Sequence, residues 1–123
     1  MNRYAKSLVL IVSAIVFTLS SAQTALAHAH PKVMTPAPDS VGQAPTTISI
    51  TFSEEVEPRF SSIQLTDEKG KSLNTDVSKP APGDAKTIVL MAPALPAGSY
   101  VVHWVNVAVD GHRMEGEYKF TVQ

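Results

Sequence analysis

The stretch Tyr100-Val101-Val102-His103-Trp104-Val105-Asn106-Val107-Ala108-Val109 decides the fold. It is dominated by β-branched residues and carries the chain's only tryptophan, a composition that suits a pleated, packed surface. Val101, Val105, Val107 and Val109 fall on one face, and Val102, Trp104 and Ala108 on the other. Apolar residues on both faces predict a central strand covered on both sides. Asp110-Gly111 then turns the chain. Glu117-Tyr118-Lys119-Phe120-Thr121-Val122 alternates and closes the domain.

The remaining strands are found by working back toward the N-terminus. Thr87-Ile88-Val89-Leu90-Met91 is a strand, followed by a turn region from Pro93 to Gly98. Thr47-Ile48-Ser49-Ile50-Thr51-Phe52 alternates polar and apolar, so Ile48, Ile50 and Phe52 face one way. A β-compatible run covers Phe60 to Leu65, and Asp67-Glu68-Lys69-Gly70 is a turn in which Gly70 supplies positive φ. Lys71 to Val77 is expected to be a weak edge strand, and Pro80 to Asp84 a loop. Val33 marks one more strand near the start. Nine prolines leave little room for a long helix. About seven short strands at this spacing predict an all-β fold, a Greek-key β-sandwich or barrel, with its loops gathered at the two ends.

Residues 1–27 are set apart from this domain. Arg3 and Lys6 precede an apolar run from Leu8 to Leu19, and Ala25-Leu26-Ala27 offers a small-residue cleavage site. Together these are the marks of a secretory signal peptide, leaving His28 to Gln123 as one mature domain. Export to a Gram-negative periplasm is the simplest destination. The whole chain has a formal net charge of −1, and losing Arg3 and Lys6 makes the domain more acidic. That argues against nucleic acid as a partner. The chain has no cysteine, which excludes disulfides, thiol nucleophiles, Cys-ligated zinc, iron–sulfur clusters and blue copper. A monomer is expected.

The chemistry gathers at Ala25-Leu26-Ala27-His28-Ala29-His30 and Asp110-Gly111-His112. A cut after Ala27 gives His28 a free amine, which closes a six-membered chelate ring with the Nδ1 of the same residue. An imidazole from His112 would complete a T of three nitrogens, with Asp110 supplying an oxygen at a longer position. Nitrogen-rich tetragonal sites favour Cu(II), and the need for a deprotonated amine and neutral imidazoles makes binding weaken as pH falls. A second mode competes for the same amine: His28-Ala29-His30 can wrap Cu(II) through its amine, two deprotonated backbone amides and the His30 imidazole, without help from His112. Cleavage after Ala29 would instead make His30 the terminus. His103, in mid-strand, is read as structural or exposed.

Beyond these residues the sequence resembles the CopC-type periplasmic copper-binding proteins of bacterial copper resistance. The resemblance rests on His28-Ala29-His30 behind a leader, Thr35-Pro36-Ala37, Thr51-Phe52-Ser53-Glu54, Ala97-Gly98-Ser99-Tyr100, Trp104, Val109-Asp110-Gly111-His112, and Gly116-Glu117-Tyr118-Lys119-Phe120. It implies a cupredoxin-like or immunoglobulin-like β-barrel or sandwich. It also implies one Cu(II) per chain on His28, Asp110 and His112, Glu54 near the site, and a membrane copper transporter of the CopD type as partner. Family members with a Cu(I) site hold it in a methionine-rich loop. Here Met34, Met91 and Met114 are scattered and are read as packing residues, so Cu(II) alone is expected. Two other functions remain open: a histidine-brace copper oxidoreductase of the monooxygenase kind, and a structural sandwich with incidental metal binding. The first needs an open metal position and a broad substrate surface, for which Asp110 and so short a chain leave little room, so no enzymatic activity is expected.

Overall fold

The computed structural model describes residues 28–123, which form a sandwich of two four-stranded sheets. The proposed leader lies outside the described residues. In chain order the strands are β1 (Pro31–Thr35), β2 (Val41–Gly42), β3 (Thr47–Phe52), β4 (Ser62–Asp67), β5 (Lys79–Ala81), β6 (Asp84–Met91), β7 (Gly98–Val107) and β8 (Arg113–Val122). One sheet runs β1-β3-β6-β5 and the other β2-β8-β7-β4. All pairs are antiparallel except β2 with β8. The all-β sandwich is as expected, with eight strands instead of about seven because β2 is only two residues long.

The core is written by alternation. Ile48, Ile50 and Phe52 of β3 are buried, and Ile88 and Leu90 of β6 lie beside them in the same sheet. Tyr100, Val102, Trp104 and Asn106 face inward from β7. The edge of Phe52 meets the Trp104 indole with ring centroids 5.8 Å apart, which ties the two layers together. Opposite Trp104 stands Gly116. A Cβ built there would lie 2.6 Å from the indole Cζ2, so the glycine is the space the tryptophan occupies.

Five expectations need correcting. The second face of β7 is not covered by another layer: Val101, His103, Val105 and Val107 are only half-buried. They lie opposite Lys119, Glu117, Glu115 and Arg113 of β8, long side chains whose stems can shield a valine without a third layer. Lys71 to Val77 contains no strand, only an isolated bridge between Ser72 and Thr66. There the open edge of β4 is met by side chains. The Leu65 N–H donates to Asn74 Oδ1 at 2.7 Å, Asn74 Nδ2 donates to the Ile63 carbonyl at 3.1 Å, and the Ile63 N–H donates to Ser78 Oγ at 3.0 Å. The edge strand falls instead at β5, overlapping the start of the expected loop, with Pro80 at its centre where a missing N–H is tolerated. Phe60 belongs to a 3-10 turn, Pro58–Phe60, and is 65% exposed. Of the methionines, Met34 and Met114 pack on the core, but Met91 is 54% exposed and does not.

Tyr118 is buried between the sheets, and its hydroxyl finds no partner among the described residues. Burial pushes its phenol from 10.0 up to about 12. A raised folded value means that the phenol's stability contribution is whole below pH 10.0 and is lost as pH climbs through about 12. Tyr118→Phe should therefore be neutral, or stabilising by up to about 1 kcal/mol, at neutral pH. It should also resist alkali better than the parent. Urea unfolding at neutral and strongly alkaline pH checks both statements, and a clear loss at neutral pH would show a hydroxyl partner.

Candidate metal centre

Two segments meet at one end of the sandwich. The first is the run His28-Ala29-His30, at the start of the described residues. Ala29 is wholly buried, and its carbonyl accepts a 2.7 Å hydrogen bond from Asn106 Nδ2 deep in β7. Ser53, just past the end of β3, holds the flanking residues. Its Oγ accepts from the His30 N–H at 3.0 Å, its N–H donates to the His30 carbonyl at 2.8 Å, and the hydroxyl reaches the His28 carbonyl at 3.4 Å. The two histidines therefore project from a fixed backbone, and both side chains are exposed.

The second segment is the loop between β7 and β8. The Ala108 N–H donates to the His112 carbonyl at 2.9 Å and the Gly111 N–H to the Ala108 carbonyl at 2.8 Å. Gly111 sits at φ 90°, a conformation that disfavours any side chain. Asp110 clasps the turn: one carboxylate oxygen accepts from the His112 backbone N–H at 3.0 Å, and the other lies 3.0 Å from His112 Nδ1. The backbone N–H is the main reason the Asp110 carboxyl is held below its ordinary value. Desolvation opposes the shift, while the His112 side chain and charge, and then His28, reinforce it. Asp110 is thus an anion that orients the His112 ring and leaves its Nε2 pointing away from the clasp.

The fold brings these segments together. The His28 and His112 rings lie 4.9 Å apart between centroids, tilted by 56°. His30 is farther, 6.3 Å from His28. Glu54 is exposed beside the same end: the neighbouring Glu55 carbonyl accepts from the Val109 N–H at 3.2 Å, and Val56 bridges Ala108. His103 stands apart on the outer sheet face, with Nδ1 3.2 Å from Glu117 Oε2 and Nε2 3.2 Å from Thr66 Oγ1. Among the described residues, no three His, Cys, Asp or Glu side chains form a ready-made cage for an ion. The side chains supply two imidazoles and a carboxylate already engaged with one of them. That set suits a metal which also takes a main-chain nitrogen.

Sequence reading gives no role to Asn106 or Ser53, the residues that hold the His28-Ala29-His30 backbone. Asn106 did leave a trace, as a polar residue at an inward position of the most apolar strand. Its partner, 77 residues away, left none.

A model of the CopC domain matches residues 32–123, which takes in Asp110 and His112 and begins just after His30. Copper resistance protein C of Pseudomonas syringae pv. tomato is 40% identical over 108 residues, covering 81% of this chain and 86% of the relative. The crystal structure of CopC from Methylosinus trichosporium OB3b superposes with a TM-score of 0.72 at 35% identity, covering 78% of this chain and 94% of that one. PcoC from Escherichia coli, described as a methionine-rich copper resistance protein, gives 0.70 at 34% identity, covering 79% and 100%. Relatives from Escherichia coli, Xanthomonas campestris pv. juglandis and Pseudomonas syringae pv. tomato are named for copper resistance, not for an enzymatic activity. With the sandwich, the paired histidines and these matches together, the chain belongs to the CopC family of copper resistance proteins.

Proposed function

We propose that the mature chain is a periplasmic Cu(II) carrier or buffer, binding one ion per chain as a monomer and passing it to a membrane copper transporter of the CopD type. The observation that carries this reading is the 4.9 Å approach of the His28 and His112 rings, which come from segments distant in sequence. Residues 1–27 act as the signal peptide, and cleavage after Ala27 creates the amine. Amine and Nδ1 of His28 chelate the ion, His112 adds Nε2, and Asp110 both orients His112 and offsets part of the metal charge. Glu54 lends further negative charge at the rim, and His30 stays outside the first ligand set. Such a nitrogen-rich set favours Cu(II). Because Met34 and Met114 are committed to the core, the soft ligands that Cu(I) would need are not gathered.

The test is mass spectrometry of the mature terminus, then Cu(II) titration and EPR of the parent and His112→Ala. Loss of an outer partner of a metal ligand already costs about 10–100-fold in affinity. Loss of His112 itself should cost more than ~100-fold and change the EPR signal. An unchanged signal would remove His112 from the site and with it this reading.

A further inference from the structure

We propose that Asn106 is the positioning residue that decides which of two copper-binding modes the terminus adopts, an inference that rests on the His28–His112 reading above. A chain beginning at His28 carries a complete tripeptide chelator. In that alternative the amine, the Ala29 and His30 amide nitrogens and the His30 imidazole surround the ion in a plane, and two amide protons are released to solvent. No other residue of the protein is required, so something in the fold has to suppress it.

The suppression is visible in the backbone. Both amide nitrogens needed by the planar mode lie in a segment whose neighbouring groups are fixed. Ala29 is 0% exposed and its carbonyl is held at 2.7 Å by Asn106, itself 0% exposed. The His30 N–H, which the planar mode must deprotonate, is spent on Ser53 Oγ at 3.0 Å. The His30 carbonyl is held in turn by the Ser53 N–H at 2.8 Å. Wrapping the tripeptide around an ion would pull Ala29 out of the core and break these bonds. Asn106 Oδ1 already lacks a partner among the described residues, so release of the Ala29 carbonyl would strand the whole carboxamide in an apolar interior, a costly state. The anchored backbone withholds both amide nitrogens and leaves the amine and imidazole of His28 free to act, with that imidazole ring 4.9 Å from the His112 ring. A polar residue in the middle of the core strand is thereby explained: it selects the ligand set without touching the ion.

The test uses the processed protein loaded with one equivalent of Cu(II), read by visible absorption and EPR, with the free peptide His-Ala-His as the spectral reference for the planar mode. In the parent, His112→Ala should change the spectrum and His30→Ala should not. In Asn106→Leu the dependence should invert: the absorption band moves to shorter wavelength, matches the peptide, and becomes sensitive to His30→Ala and insensitive to His112→Ala. Ser53→Ala, a half-buried and milder change, should yield a mixture of the two spectra, and serves if Asn106→Leu does not fold. If neither variant acquires the peptide spectrum while the parent depends on His112, the role given to Asn106 is wrong and the metal site stands. If the parent itself depends on His30 and not on His112, both fail.

Discussion

A mature chain carrying one extra residue ahead of His28 is expected to bind Cu(II) roughly 10²–10⁴-fold more weakly, the range over which tethering two donors together raises affinity. The extra residue turns the His28 amine into an amide. Its nitrogen loses the lone pair that closed the chelate ring, while the His28 and His112 imidazoles remain 4.9 Å apart and the fold is untouched. Ala29 still sits in its pocket and Asn106 still holds it, so the thermal unfolding of the metal-free protein should be unchanged. The effect should appear only in metal titration, and trimming the added residue with an aminopeptidase should restore affinity. Equal affinity in the extended and trimmed chains would mean that the ion is held by side chains alone.

The second large effect concerns stability. Gly116→Ala should cost about 1–3 kcal/mol, the usual penalty for forcing extra atoms into a packed core. The added Cβ would stand 2.6 Å from Trp104 Cζ2 and 2.9 Å from Cε2. The neighbour is a rigid indole, 8% exposed and wedged against Phe52, so it cannot swing aside. A gain of about 0.4–1 kcal/mol from a less flexible unfolded chain offsets part of the loss. Gly116→Val should be worse, and combining Gly116→Ala with Trp104→Phe should cost less than the two changes summed, because the smaller ring vacates the disputed space. Additive losses in urea unfolding would place the strain somewhere other than the indole.

Local pattern carried the reading of the sandwich where one face of a strand is buried and the other is not. Thr47–Phe52 is such a case: its alternation in sequence is its alternation in burial. Reading failed where the deciding interaction is distant. Valine is equally at home in a core and on a half-shielded sheet face, so the outer face of β7 could be judged only once the long side chains of β8 lay opposite it. The 71–81 region was misassigned because Asn74 and Ser78 reach across to Ile63 and Leu65 with side chains, a choice that local composition does not dictate. At the candidate metal centre, donor chemistry and the family resemblance single out His28, Asp110 and His112, and the fold brings the His28 and His112 rings to 4.9 Å. The clasp of Asp110 on His112 and the anchoring of Ala29 by Asn106 depend on angles and long-range contacts that residue types do not encode.

The margins of both sheets carry features that work against edge-to-edge pairing. β1 opens on Pro31, β5 is centred on Pro80, β2 offers two residues, and the rim of β4 is already bonded to Asn74 and Ser78. Each device discourages another strand from docking there. A domain without cysteine has no disulfide to lock it, and transient opening would otherwise invite fibril-like stacking. Such margins disfavour sideways growth by strand addition. At the loop end, by contrast, Val109, Glu54, His28 and His30 meet the solvent.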